Sequence, residues 1–208
     1  MSDATSRTGA IVLAGGRSSR FGRDKLAEAI DGRSLLSHAI DAAAAIADVV
    51  VVVTAPGSRP MVPDFVVVVA DQRPFEGPLA GLAVGLAALP ASVERVVAVG
   101  GDMPALVVPV LESMLRRLDK HDAVVLADAV GPRPLPLVAR RVAVSAAAVD
   151  LLALGERRLR ALLRVLDVDV IPPATWRIDD PAGTTLRDVD TPADLHADLH
   201  ADRSRRDR

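Results

Sequence analysis

The chain has no cysteine, no tyrosine and no asparagine, and its glutamine is confined to Gln72. Without cysteine there can be no disulfide framework, zinc–thiolate site or iron–sulfur cluster. Phe21, Phe65, Phe75 and Trp176 are its only aromatic residues, too few for the stacking platforms of RNA and single-strand binders. Lacking asparagine, the chain must fill positive-φ positions mainly with its 14 glycines. Neither sign of charge is in excess. The 25 basic and 27 acidic residues leave a net charge of −2, which argues against a generally basic nucleic-acid binder. No apolar stretch approaches the roughly 18 residues of a membrane span. The opening MSDATSRTG is polar and contains an acid, unlike a signal peptide. The expectation is a cytoplasmic protein that binds neither nucleic acid nor membrane. Lysine is also nearly missing, since all basic residues except Lys25 and Lys120 are arginine.

What is present is apolar. Half of the 208 residues are hydrophobic, enough for one large or two small domains with a sizeable core. Short runs of β-branched and small residues recur at Ala10–Ala14, Val49–Thr54, Phe65–Ala70, Val96–Val99, Ala123–Ala127 and Val168–Ile171. The first five of these do not alternate polar with apolar, which is how strands covered on both faces read. Helical patterns lie between them, at Ser34–Ala47, Leu79–Leu89, Pro104–Leu118, Val142–Leu154 and Leu159–Leu166. Thr191-Pro192 reads as the start of a last helix, a cap residue followed by proline. This alternation predicts a three-layer α/β/α, Rossmann-like fold with a mainly parallel central sheet. No linker separates two domains, so residues 1–195 are expected to form one domain and 196–208 a helix end and tail.

In such sheets ligands bind beyond the carboxyl ends of the strands, and three loops there carry unusual residues. The first is Leu13-Ala14-Gly15-Gly16-Arg17-Ser18-Ser19-Arg20-Phe21-Gly22-Arg23-Asp24-Lys25. Its paired glycines allow close backbone approach, and Arg20 and Lys25 are suited to phosphates. It is neither a Walker A loop nor a dinucleotide fingerprint, and a bare Gly-Gly also reads as an ordinary surface turn. The second loop, from Asp71 to Gly81, starts with an aspartate able to accept hydrogen bonds from guanine N1–H and N2–H₂, or simply to cap a helix. The third is Gly100-Gly101-Asp102-Met103-Pro104, where Asp102 suits a hard divalent ion or, equally, a helix cap.

The string LAGGRSSRFGRDK closely resembles the signature loop of molybdenum cofactor guanylyltransferases, within the wider nucleotidyltransferase class. Together with Gly77-Pro78-Leu79-Ala80-Gly81 it is more similar to this subgroup than to the related cytidylyltransferases. The resemblance runs from about Ala10 to Leu195. It implies that Leu13, Ala14, Gly15, Gly16, Lys25, Asp71 and Asp102 contact GTP. It further implies that Asp102 binds Mg²⁺ (or Mn²⁺), and that Arg20, Lys25 and Asp102 carry the chemistry. The reaction implied is transfer of GMP to the terminal phosphate of molybdopterin-bound molybdenum, with transient contacts to cofactor-biosynthesis proteins or molybdoenzyme chaperones. Arg133, Arg157, Arg158 and Arg160 are candidates for an anionic pterin phosphate, though each singly also reads as a solvated arginine. Phe21 stands where the family usually has methionine, and Thr54 where relatives often have asparagine. Asp188 and Asp190 stand where several relatives have asparagines; Asp190 holds a second metal or both cap the last helix, the cap being favoured. His196 and His200 read as part of a solvated helix end. Alternatives are a cytidyl- or sugar-phosphate nucleotidyltransferase, a non-catalytic GTP-binding delivery protein, and a scaffold that lost its site.

Overall fold

The unbroken apolar runs build a central sheet, covered on both faces in its middle strands, while Val67 and Val68 of the edge run are 44% and 41% exposed. The computed structural model describes residues 6–15, 25–71, 77–191 and Asp194. In chain order its elements are β1 (Arg7–Ala14), β2 (Ala29–Ile30), β3 (Arg33–Ser34), α1 (Leu35–Ala44), β4 (Val49–Thr54), β5 (Val66–Ala70) and α2 (Pro78–Ala88). They continue with β6 (Val93–Gly100), α3 (Val108–Arg117), β7 (Ala123–Ala127), β8 (Pro132–Arg140), α4 (Arg141–Ala153), β9 (Val168–Ile171) and α5 (Pro173–Trp176). The main sheet has seven strands in the order β5-β4-β1-β6-β8-β7-β9. All are parallel except β8, which runs against both neighbours. The strands β2 and β3 form a separate small hairpin.

Successive side chains of a strand point to opposite faces, and the core divides accordingly. Ala10, Val12, Val50, Val52, Val97 and Val99 meet α1 and α3 through Leu36, Ile40, Leu111 and Met114. Ile11, Val51, Val53, Val96 and Ala98 meet α2 and α4 through Leu79, Leu82, Leu86, Val144 and Ala148. The result is the three-layer α/β/α arrangement. Helix α1 starts where Ser34 Oγ accepts the N–H of Ser37 at 3.1 Å, a side-chain cap.

Several boundaries differ from the sequence reading. The strand expected from Phe65 begins at Val66, leaving Phe65 60% exposed before it. The helix expected from Pro104 begins at Val108, and Thr185 Oγ1 accepts the N–H of Val107 at 3.2 Å just before it. Residues 159–166 give a 3-10 helix over Leu159–Arg164 in place of an α-helix. Strand β8 was not expected at all, since Pro132, Pro134 and Pro136 disguise it. Its register with β6 begins only at Leu137, so the prolines lie where that side of the strand has no partner to bond. Most of the helix expected from Thr191, and the His196–His200 pair, lie outside the described residues. Asp194 Oδ2 does accept the N–H of Thr191 at 2.7 Å and that of Asp190 at 3.0 Å, as a residue in a helix's first turn does. No helix among the described residues is long and apolar enough to cross a membrane.

Candidate active site

Strand order reverses at β1, which has β4 on one side and β6 on the other. The crevice beyond such a reversal is where α/β sheets bind ligands. A cavity of about 450 Å³ lies there, lined by Leu13 of β1 and Gly15 just after it, Val53 and Thr54 at the end of β4 with Ala55 and Pro56 beyond, and Asp71 after β5. Gly77, Pro78 and Gly81 of the α2 start, Gly100 and Asp102 after β6, and Leu135 of β8 complete it.

Local chemistry fixes these walls. The N–H of Gly101 donates to Leu13 O at 2.9 Å, tying the loop after β6 to the end of β1. Met103 folds back so that its Sδ accepts the N–H of Gly100 at 3.3 Å. A side chain at Gly100 would collide with Asp102 Oδ1, so glycine there makes room for the carboxylate. At Gly77 φ is +88°, and an added Cβ would lie 2.6 Å from Arg157 O. Glycine thus lets the chain turn into α2 against the backbone of Arg157. The N–H of Asp71 donates to Thr54 O at 2.9 Å. Thr54 itself is 1% exposed, and its hydroxyl faces Val69 O at 3.4 Å.

Lys25 Nζ donates to Asp102 Oδ2 at 2.8 Å and to Asp190 Oδ1 at 3.1 Å. Burial alone would pull the ammonium's pKa down, but the two carboxylates outweigh it and hold it above the ordinary lysine value. Beside this trio, Arg133 bridges Asp128 and Asp188, at 3.0 Å to each. Asp188 is pushed up to about 6, chiefly by burial and then by the negative charge of Asp102 and Asp190, against the pull of Arg133 and Lys25.

The sequence-predicted residues divide clearly. Leu13, Gly15, Asp71 and Asp102 share the cavity wall, and Lys25 joins them through Asp102. The Ala14 side chain faces the opposite way, against the core under α1. Gly16 and Arg20 lie outside the described residues. Of the four downstream arginines, Arg133 brings its guanidinium to the acids of the site, and Arg157 meets the cavity wall through its backbone at Gly77. The Arg157 guanidinium bonds to Leu152 O at 3.3 Å and Glu156 O at 3.0 Å, and Arg158 and Arg160 are exposed. The cap favoured for Asp188 and Asp190 gives way to ion pairs: their carboxylates meet Arg133 and Lys25, and Asp194 serves the backbone of Asp190 and Thr191 instead. The Asp128–Arg133–Asp188 bridge was missed. Its signal was the spacing of Asp188-Val189-Asp190, which sends two carboxylates one way and Val189 the other in an extended segment.

Comparison with known proteins places this geometry. The MobA-like NTP transferase domain family matches residues 10–170. A probable molybdenum cofactor guanylyltransferase of Chloroflexus aggregans is 32% identical over 192 residues, 89% of this chain and 90% of that protein. A protein of the same description from Mycobacterium marinum is 33% identical over 199 residues, 94% of each chain. In fold the chain is similar to the crystal structure of molybdopterin-guanine dinucleotide biosynthesis protein A from Archaeoglobus fulgidus, with a TM-score of 0.76 at 21% identity over 94% of this chain and 99% of that one. A 4-diphosphocytidyl-2C-methyl-D-erythritol synthase from Anaerococcus prevotii shares the fold with a TM-score of 0.72 at 15% identity, over 94% of this chain and 95% of that one. The chain belongs to the MobA-like NTP transferases, in the molybdenum cofactor guanylyltransferase family, and is a nucleotidyltransferase.

Proposed function

We propose that the enzyme transfers GMP from GTP to the terminal phosphate of molybdopterin-bound molybdenum, releasing pyrophosphate and forming the guanine dinucleotide cofactor. The observation that carries the reading is the meeting of Lys25 with Asp102 on the wall of a cavity that also takes in Gly15 and Asp71. Its volume of about 450 Å³ suits a small-molecule substrate. The curated relatives named for this activity match about nine-tenths of the chain. We place GTP in this cavity, with the Asp71 carboxylate accepting from guanine N1–H and N2–H₂, donors cytosine does not offer together. The two substrates are the partners the reading requires; the biosynthesis proteins or molybdoenzyme chaperones would meet the enzyme transiently in the cytoplasm.

A phosphate oxygen of the pterin, already ionised at neutral pH, attacks the α-phosphorus of GTP. The new P–O bond forms as the bond to the β-phosphate oxygen breaks, and pyrophosphate leaves with the electron pair. No general base is needed, and none of the described residues lining the cavity is histidine or cysteine. The protein's task is to position two anions and offset their charge. Lys25 and the main-chain N–H of Gly15 do this for the triphosphate, with Arg20 and Gly16 from the same loop.

The donor set fits a hard divalent ion such as Mg²⁺ or Mn²⁺. Asp102 and Asp190 present carboxylate oxygens to one shared cationic position, now taken by the Lys25 ammonium. Magnesium characteristically takes one or two carboxylates together with substrate phosphates. Asp102, with Asp190 in reach, would hold it, and when bound it supplies charge neutralisation at the phosphates.

The test is pyrophosphate release with GTP against CTP in the presence of molybdopterin-loaded acceptor. Release with GTP and not with CTP is expected. Preference for CTP would turn the reading to a cytidylyltransferase, and GTP binding without release to a delivery protein.

A further inference from the structure

The ammonium of Lys25 sits between two carboxylates, 2.8 Å from Asp102 Oδ2 and 3.1 Å from Asp190 Oδ1. Its side chain is only 13% exposed, whereas those of Asp102 and Asp190 are 30% and 57% exposed. The carboxylates are therefore open to an incoming cation on the side away from the lysine. The third acid of the neighbourhood, Asp188, is engaged by Arg133 at 3.0 Å. No three acidic or histidine side chains among the described residues are grouped to hold a metal ion by themselves.

We infer that Lys25 is the resident counter-ion of the Asp102–Asp190 pair in the nucleotide-free protein and competes there with a divalent cation. Metal binding is then weak until a triphosphate draws the ammonium away. This rests on the site assignment made for the proposed function. The residue type suits the role. A lysine ammonium is a compact point charge on a flexible four-carbon stem, able to sit between two carboxylates and to leave them. Arginine, which fills nearly every other basic position of this chain, is a more rigid planar fork; beside this pair, Arg133 uses it to fix Asp128 and Asp188 at 3.0 Å each. Charge counting agrees. The pair carries two negative charges, of which Lys25 offsets one. A divalent ion at the same position would meet direct repulsion from the ammonium, which an anionic ligand that draws Lys25 away relieves. By linkage, metal binding weakens the Lys25 contact by the same factor as that contact weakens metal binding.

The experiment is a Mn²⁺ titration of the intact, nucleotide-free protein, reading free Mn²⁺ by electron paramagnetic resonance. Lys25→Met should bind Mn²⁺ about five- to tenfold more tightly than wild type. Adding Asp190→Asn in that background should remove the gain. Lys25→Gln gives the same reading should the methionine variant fail to fold by circular dichroism. Mn²⁺ affinity that is unchanged or weaker in the folded Lys25 variants overturns the inference. So does a gain that survives Asp190→Asn. The outcome is independent of the GTP-against-CTP comparison, so either reading can fail while the other stands.

Discussion

The backbone N–H of Val189 donates to the carbonyl oxygen of Asp102 at 3.0 Å. One hydrogen bond thus ties the C-terminal Asp188-Val189-Asp190 segment to the loop that carries the principal carboxylate of the site. The Val189 side chain is 0% exposed and packs with Ile30 and Leu35. The apolar residue is the anchor, and the acids on either side of it are delivered to Arg133 and Lys25.

Val189→Ala should therefore weaken both stability and the site. Removing two buried methyl groups costs about 1.5–3 kcal/mol once transfer and cavity are counted. Urea unfolding should show that loss. Pyrophosphate release measured where the variant is fully folded should also fall, because Asp190 is no longer held in register. Undiminished release from the folded variant would show that the anchor does not matter to the site.

Asp102→Ala should abolish pyrophosphate release while leaving the protein folded. The carboxylate is 30% exposed and makes its ion pair to Lys25 at the edge of the cavity, so its loss does not open the core. Lys25 keeps Asp190 as a partner. Circular dichroism and a GTP thermal-shift assay separate loss of turnover from loss of structure. Wild-type release from this variant would remove Asp102 from the chemistry.

Gly100→Ala tests how finely that carboxylate is placed. The added Cβ would collide with Asp102 Oδ1 and stand 3.2 Å from Met103 Cγ. Crowding of this kind costs about 1–3 kcal/mol in stability. The larger effect should be on turnover, since a displacement near 1 Å at a reacting centre can cost about a hundredfold. A variant with lowered kcat, beyond what a stability loss of about 1–3 kcal/mol explains where it is fully folded, is expected. Unchanged kcat would mean that Asp102 has room the structure does not suggest.

Much of the layout was legible because it depends on local pattern. The unbroken runs around Ile11, Val51 and Val97 can be satisfied only in strands covered on both faces, so the sheet and its layers followed from them. The grouping of Gly15, Asp71 and Asp102 followed in turn, since each ends a parallel strand and so falls at the same edge. What could not be read depended on distant partners. Strand β8 is antiparallel and proline-rich, and only its pairing with β6 and β7 makes it a strand. Arg157 and Arg133 look alike in sequence. One is spent on main-chain carbonyls beside α4, while the other reaches Asp188, 55 residues away. Thr54, noted as a departure from relatives, has its hydroxyl directed at Val69 O of the neighbouring strand. Its contribution to the cavity is therefore shape rather than a free donor.

Asp180 offers a test by pH of the segment leading to the site. The residue is 2% exposed, and its carboxylate accepts the N–H of Thr185 at 2.7 Å and the hydroxyl of Thr184 at 3.2 Å. Thr185 in turn receives the N–H of Val107 at 3.2 Å, so one buried acid organises the approach to both α3 and Asp188. Burial alone would raise the carboxyl's pKa, but the threonine donors outweigh it and hold the value below the usual 3.8. The native state thus binds fewer protons than the unfolded chain just below that value, and stability rises with pH there. The contribution is complete above pH 3.8 and is lost as pH falls through the native value. Asp180→Asn replaces one acceptor with a donor facing donors, and should cost about 1–3 kcal/mol near neutral pH. The gap to wild type should narrow as pH is lowered well below 3.8 and the native aspartate protonates. Urea midpoints of both proteins at the two pH values decide it. A gap that stays constant across that range would show that the charge of Asp180 is not what holds this segment.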